Sequence, residues 1–297
     1  MEYGGEIAAL GAALGFTFTG VFFTLAGRSV SAPLINRTRL LLAVLLVIGL
    51  HWLIQGQLLP VNVELSRWGW LGLSGIIGLS LGDGSLFQAL ILIGPRLSSL
   101  IMALAPVIAT LLAWIFLGET LSGQELLGIA LVIGGILSVV ADRAGNGRQA
   151  SLRAYMIGLL FALGGATGQA AGAVTSKIGL ADNFSPLSAH LMRLLVATVA
   201  IWVFATMRGH GTTSIRTLNA NRRAARFIGM GTLFGPTIGV WLSLIAFQEI
   251  PVGVASTLVG LTPIFMIPIA RIVFKESITF RAIIGTVVAV LGTTLLF

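Results

Sequence analysis

A chain of 297 residues that is 56% hydrophobic and only 9% charged is not a soluble globular protein, because no core of that size can bury so much apolar surface. Its net charge of +8 does not indicate a nucleic-acid partner, since the arginines lie in short loops between apolar segments, where membrane topology explains them. The absence of cysteine excludes a disulfide framework and thiol chemistry.

Ten apolar segments follow one another along the chain, each near the roughly 20 residues that cross a bilayer core. The N-terminal stretch MEYGGE lacks the Lys or Arg of a secretory signal, so we predict that the first apolar segment is a retained span. The sequence therefore predicts an all-α polytopic membrane protein. The predicted spans are 7–25, 32–52, 68–90, 95–117, 123–141, 154–176, 187–206, 224–247, 252–274 and 280–297.

The second half of the chain repeats the first. Residues 104–135 match residues 261–292 at a constant offset of 157, and near the start of each half the offset is 153. The matched pairs are Pro106 with Pro263, Ala113 with Ala270, Glu119 with Glu276, Gly128 with Gly285, Gly135 with Gly292, Ser74 with Gly231, Gly78 with Gly235, Gly82 with Gly239, Gly11 with Gly164, Gly15 with Gly168, and Pro33 with Pro186.

Five spans in each half make the second half enter the membrane from the opposite side. Inverted repeats of this kind are typical of secondary transporters, whose substrate sites lie near the midplane between the repeats. We therefore predict ten transmembrane helices in two inverted five-helix repeats, residues 1–141 and 154–297, around a central cavity, with 142–153 as the linker loop.

Small residues recur at four-residue spacing and predict close contacts between helices. Such ridges let backbones approach in lipid, either as plain packing or as a contact that can slide. The two ridges are Gly164, Gly168 and Gly172 in the sixth span, and Gly231, Gly235 and Gly239 in the eighth.

Four prolines lie within apolar segments, where each removes a helix hydrogen bond and is expected to kink the helix. Pro106 and Pro263 occupy matching places, which predicts paired kinks flanking the cavity, although membrane helices also tolerate proline without a special role. Pro236 and Pro268 are the other two predicted kinks.

Two helix connections carry acidic residues. The stretch SGQE, Ser122 to Glu125, predicts a capping box that starts the fifth span. Glu119 and Glu276 stand just before helix starts, where a carboxylate is stabilised, so we interpret both as structural.

The twofold pattern of proline, LGE or FKE, and spaced glycines resembles the drug/metabolite transporter superfamily, specifically its ten-span EamA-type exporters. The resemblance covers nearly the whole chain, once per half. It implies ten helices around a central cavity and the export or exchange of small metabolites, with amino acids the commonest assigned substrates. It also implies an arginine near the start of the second and seventh spans, which Arg39 and Arg193 match, one residue out of the repeat register.

Three ionisable residues inside spans, Asp83, Arg39 and Arg193, are candidate functional residues, because charge at membrane depth is costly. The repeat partner of Asp83 is Val240, so packing symmetry does not require the carboxylate. Asp83 could form a structural ion pair with an arginine, contact a substrate ammonium group, or couple transport to protons.

Other polar residues are weaker candidates for substrate binding or coupling. His190 lies about one helical turn before Arg193 and is either a satisfied core histidine or a proton relay. Each of the remaining residues forms either a hydrogen bond between helices or a contact with the ligand. They are Ser80, one turn before Asp83, together with Thr17, Gln88, Ser99, Gln169, Trp241 and Ser256.

These patterns favour a secondary transporter of small metabolites that works by alternating access, with amino acids ranked first. Phosphorylated or sugar metabolites and drugs are alternative substrates, and a membrane-embedded enzyme or a lipid-handling protein are alternative functions. Enzymes of that kind need clustered carboxylates, which Asp83 lacks, and no Walker loop indicates an ATP-driven pump. We expect no metal or cofactor, no nucleic acid, a monomer, and a bacterial inner (plasma) membrane location.

Loop charges predict the orientation. Loops after odd-numbered spans share one side of the membrane, and the other loops share the opposite side with both termini. The positive-inside rule then places both termini outside, whereas the family more often has them in the cytoplasm; we follow the charges. The second side holds Arg67 and Lys177, and the first holds Arg28, Arg96, Arg143, Arg148, Arg153, Arg208, Arg216, Arg222, Arg223, Arg226, Arg271, Lys275 and Arg281.

Overall fold

The structure, a computed structural model, describes residues 3–117, 121–145, 152–180, 184–209, 211–250 and 258–296, and these are helical apart from short connections. The helices in chain order are α1 (Gly4–Gly27), α2 (Ala32–Gln55), α3 (Leu65–Ser74), a first π segment (Gly75–Gly82), α4 (Asp83–Ile93), α5 (Pro95–Met102), α6 (Leu104–Leu117), α7 (Gly123–Gly145), α8 (Leu152–Gly179), α9 (Pro186–Met207), α10 (Gly211–Ala220), α11 (Arg222–Thr232), a second π segment (Leu233–Gly239), α12 (Val240–Glu249), α13 (Thr262–Val273) and α14 (Phe280–Thr294).

Within the described residues, eight helical stretches are long and apolar enough to cross a membrane. They coincide with the first eight predicted spans, and the third and eighth run straight through a π segment. The shorter apolar helices α13 and α14 lie within the predicted ninth and tenth spans. The prediction of an all-α polytopic membrane protein is confirmed.

Helices α7 and α14, which end the two repeats, show that the repeats are inverted. A Cβ atom on Gly128 would lie 2.8 Å from the Gly292 carbonyl oxygen, and one on Gly135 would lie 2.5 Å from that of Gly285. The residue number rises along α7 as it falls along α14, so the helices are antiparallel. Because Gly128 and Gly135 are the repeat partners of Gly285 and Gly292, exchanging the two halves converts one contact into the other.

The predicted glycine ridges form the contacts between the halves. In the sixth span, a Cβ on Gly168 would lie 2.5 Å from the Gly82 Cα, so only glycine allows the two backbones to approach this closely. The repeat partners make the equivalent contact between the first and eighth spans, where a Cβ on Gly15 would lie 3.4 Å from the Gly239 Cα. The ridge prediction is therefore confirmed on both sides of the pseudo-twofold axis.

The two π segments are a feature that the sequence patterns did not predict. They fall at matching places in the two repeats, in the third and eighth spans. Pro236 stands inside the second segment, where its missing N–H removes a hydrogen bond that a regular α-helix would need. The wider π turn is rare in proteins, and where it occurs it is frequently at a functional site.

The predicted kinks at Pro106 and Pro263 coincide with interruptions of the helix just before each proline, at residue 103 and at residues 260–261. The fourth span breaks at Ala103, between α5 and α6, so that Pro106 lies in the first turn of a new helix. Pro263 likewise lies in the first turn of α13. Proline is well tolerated there because the first N–H groups of a helix have no intrahelical partner. Pro268 lies inside α13, as expected.

The capping box that opens α7 is confirmed. The Ser122 backbone N–H donates to Glu125 Oε2 at 2.7 Å, and the Glu125 backbone N–H donates to Ser122 Oγ at 3.2 Å. Glu119, which we interpreted as structural, lies outside the described residues.

Candidate functional site

A buried ion pair between Arg39 and Asp83 lies inside the bundle. Arg39 is on α2 and Asp83 opens α4, directly after the first π segment, and the two residues are 3% and 7% exposed. Gln169, on α8 of the second repeat, donates its amide N–H to the other carboxylate oxygen of Asp83. Both oxygens of Asp83 are therefore engaged, and the cluster draws side chains from both repeats. Of the three roles proposed for Asp83, the structural ion pair is the one formed in this conformation.

Asn36 holds this arrangement in place, and it was not among the predicted site residues. It is fully buried, and its Nδ2 donates to the carbonyl oxygens of Leu79 and Ser80 at 3.2 and 2.8 Å. Its Oδ1 accepts from Arg39 Nε at 3.1 Å. The signal that could have identified it is an amide three residues before an intramembrane arginine, on the same helix face.

We call the contact between the repeats around Arg39, Asp83 and Gln169 the seam, and Arg193 is its third charged side chain. It is half-buried, its Nε atom is buried, and it forms no hydrogen bond or ion pair within the described part of the chain. Its Nη2 atom lies 3.4 Å from where a Cβ on Gly78 would stand. The charges of Arg193 and Asp83 interact electrostatically, although Asp83 is bound to Arg39.

Arg39 and Arg193 approach the membrane midplane from opposite faces. Each is the eighth residue of its helix, α2 or α9, and these helices are equivalent elements of inverted repeats. At a rise of 1.5 Å per residue, each lies about 11 Å along its helix. Asp83 is thus bound to the arginine of the first half and interacts electrostatically with the arginine of the second.

His190 makes a structural contact. Its Nε2–H donates to the Pro236 carbonyl oxygen, 3.3 Å away, in the second π segment. By the offset of 157, Pro236 is the repeat partner of Leu79, whose carbonyl accepts from Asn36 and, at 3.0 Å, from Arg39. Each π segment thus presents the equivalent carbonyl to a polar side chain of the preceding span.

The other predicted site residues are divided between the seam and the rest of the bundle. The Ser80 hydroxyl donates to the Ala197 carbonyl oxygen at 3.1 Å, so this hydrogen bond joins two helices. Thr17 donates to the Ala13 carbonyl of its own helix at 2.7 Å and so is satisfied. Gln88 and Ser99 are half-buried, Trp241 is 39% exposed, and none of the three joins the hydrogen bonds described for the Arg39–Asp83 cluster. Ser256 lies outside the described residues.

A second ion pair joins the repeats, between the start of the fourth span and the end of the ninth. Arg96 Nε lies 3.0 Å from Glu276 Oε2. Arg96, counted above among the loop charges, is 5% exposed, so its assignment to a solvated loop is wrong. A cavity of about 240 Å³ adjoins the pair and is lined in part by Arg28, Phe274 and Glu276.

We expect Glu276→Gln to lower the free energy of unfolding by about 3 kcal/mol, because it leaves the buried Arg96 without a counter-charge. The double variant Arg96→Met/Glu276→Met should recover most of this loss, since it removes both charges. Thermal unfolding of the purified protein measures both effects. Lys275→Gln, which changes an exposed neighbouring charge, is the control, and equal losses in Glu276→Gln and Lys275→Gln would contradict a stabilising ion pair.

Comparison with known proteins agrees with this architecture. The family model described as EamA-like transporter family matches residues 3–141 and again residues 156–297. A relative from Streptantibioticus cattleyicolor, described as a probable terminal-alkyne amino-acid exporter, is 30% identical over 123 residues, covering 40% of this chain and 38% of that protein. A solved crystal structure superposes with a TM-score of 0.64 over 98% of this chain and 94% of its own, at 17% identity, and shows the same fold.

Proposed function

Since this chain belongs to the EamA-like transporter family, we propose that it is a secondary transporter that exports or exchanges small metabolites, amino acids first, by alternating access. The chain is an integral membrane protein, and we place it in a bacterial inner (plasma) membrane. The observation that carries the proposal is the cluster of Arg39, Asp83, Gln169 and Arg193, to which both inverted repeats contribute. Sites of secondary transporters lie at the interface between such repeats.

The charges of the seam support a substrate that carries one anionic group, such as the carboxylate of an amino acid, over the alternative substrates. Asp83 is engaged by Arg39, which leaves one guanidinium, that of Arg193, for a substrate anion. A sugar phosphate is best served by two or more free cations, and a cationic drug by a free carboxylate. The description of the Streptantibioticus cattleyicolor relative as an amino-acid exporter points the same way.

An enzymatic function receives less support from the seam. Membrane-embedded transferases generally use several clustered carboxylates to hold metal and phosphate. Within the described residues there is no group of three or more His, Cys, Asp or Glu side chains that could hold a metal ion. Asp83 is bound by an arginine and an amide, an environment that suits recognition more than metal chemistry.

Counterflow in proteoliposomes tests the proposal. Vesicles loaded with an unlabelled mixture of the twenty proteinogenic L-amino acids should accumulate labelled amino acids from outside without ATP. Labelled glucose 6-phosphate and tetraphenylphosphonium, each with its own unlabelled compound inside, serve as substrates of the two alternative classes. Accumulation of either compound without accumulation of any amino acid would contradict the proposed substrate class. Protein-free vesicles give the background.

A further inference from the structure

We propose that Arg193 binds the anionic group of the substrate, which is the carboxylate in the case of an amino acid. The assignment rests on the proposed function, because it names the residue that recognises the transported molecule. It is carried by the charge balance of the seam, by the glycines that border the guanidinium, and by the chemistry of arginine.

The seam holds one positive charge more than its own residues neutralise. Asp83 supplies its negative charge, and Arg39 and Arg193 supply two positive charges. Both carboxylate oxygens of Asp83 are taken, one by Arg39 and one by Gln169. Arg193 therefore has no counter-ion among the residues that the structure describes. An unpaired cation at membrane depth is costly and marks a place where a ligand brings the missing charge.

The guanidinium of Arg193 lies against a contact between glycines of the two repeats. Its Nη2 faces Gly78 of the first π segment, and a Cβ on Gly172 would lie 3.0 Å from the Gly78 Cα. The guanidinium thus faces the backbone where Gly78 and Gly172, from opposite repeats, meet. Neither glycine has a side chain that could cover the guanidinium. Arg193 is also more exposed than Arg39, which is buried.

The guanidinium suits a carboxylate by its shape. It presents parallel N–H groups that form two hydrogen bonds to one carboxylate, and it keeps its charge in the membrane interior. A lysine could supply the charge but not the paired geometry. A molecule without an anionic group would leave Arg193 unpaired and should bind poorly.

Two methionine variants separate this role from a structural one. Arg39→Met strips Asp83 of its partner and should lower the melting temperature of the substrate-free protein. Arg193→Met removes a charge that has no partner, so we expect a melting temperature equal to or above that of the wild type. We also expect amino-acid counterflow to fall at least tenfold in Arg193→Met, with partial activity in Arg193→Lys. A loss of thermal stability in Arg193→Met as large as in Arg39→Met would overturn the assignment.

Ligand protection provides a readout that does not depend on transport. A mixture of the twenty proteinogenic L-amino acids should raise the melting temperature of the wild type, the matching mixture of methyl esters should not, and neither should stabilise Arg193→Met. If wild-type protein neither transports nor is stabilised by amino acids, the proposed substrate class fails, and citrate and glucose 6-phosphate become the probes. Protection by either anion in the wild type but not in Arg193→Met retains Arg193 as the anion site. If no probe anion gives Arg193-dependent protection, the assignment is wrong.

Discussion

Asp83→Asn is expected to abolish transport and to destabilise the protein at the same time. The substitution removes the negative charge but keeps the size and an acceptor for Gln169, so Arg39 is left buried without a counter-charge. Loss of one partner of a buried ion pair costs about 3–5 kcal/mol in soluble proteins. Expression, monodispersity in detergent and melting temperature report the stability, and counterflow reports the activity. Glu64→Gln, at an exposed carboxylate, is the control.

The double variant Arg39→Met/Asp83→Leu separates stability from function at this pair. Replacing both charges by apolar side chains of similar size removes the orphaned cation and should restore much of the stability. Transport should remain absent, because Arg193 is then the only charged residue left of the three in the seam. Wild-type stability together with wild-type counterflow in Asp83→Asn would contradict both the structural and the functional interpretation of Asp83.

Gly168→Ala is expected to have the second-largest effect, through backbone contact and not through charge. Its new Cβ would lie 2.5 Å from the Gly82 Cα, and a backbone atom cannot move aside as a side chain can. Overpacking typically costs about 1–3 kcal/mol, and here it also pushes α8, with Gln169, away from Asp83. We therefore expect a lower melting temperature and reduced counterflow.

Gly164→Ala is the matched control for this prediction, one turn away on the same ridge. Its Cβ would meet Ser85 Oγ at 3.6 Å, an ordinary contact, so stability and counterflow should stay near wild type. Equal losses of stability and counterflow in the two variants would contradict close approach of the repeats as the cause.

The sequence predicted the features of this protein that depend on pattern and on charge. The offset of 157 places Gly128 and Gly135 on Gly285 and Gly292, and the structure joins these residues in an antiparallel contact. The cost of a carboxylate inside an apolar span predicted a partner for Asp83. The pattern could not decide between Arg39 and Arg193, because that choice depends on how each helix is rotated about its axis.

Other features leave little trace in a single sequence. A π segment differs from an α-helix by about one residue per turn, and a run of glycine and aliphatic residues such as GIIGLSLG has no periodicity that would reveal it. Asn36 was missed because the sequence does not show which groups an amide inside a span bonds to. Such an amide could join any two helices. The burial of Arg96 was missed because its partner, Glu276, is 180 residues away.

Transport by alternating access requires the two repeats to move relative to each other at this seam, and a reversible cross-link tests that movement. A Cβ on Gly164 would lie 3.7 Å from the Ser85 Cβ, a separation that suits a disulfide, and the chain has no native cysteine. We predict that the variant Ser85→Cys/Gly164→Cys loses amino-acid counterflow on oxidation and regains it on reduction, while each single variant is unaffected. Equal counterflow by the oxidised and reduced double variant would contradict transport by movement at this seam.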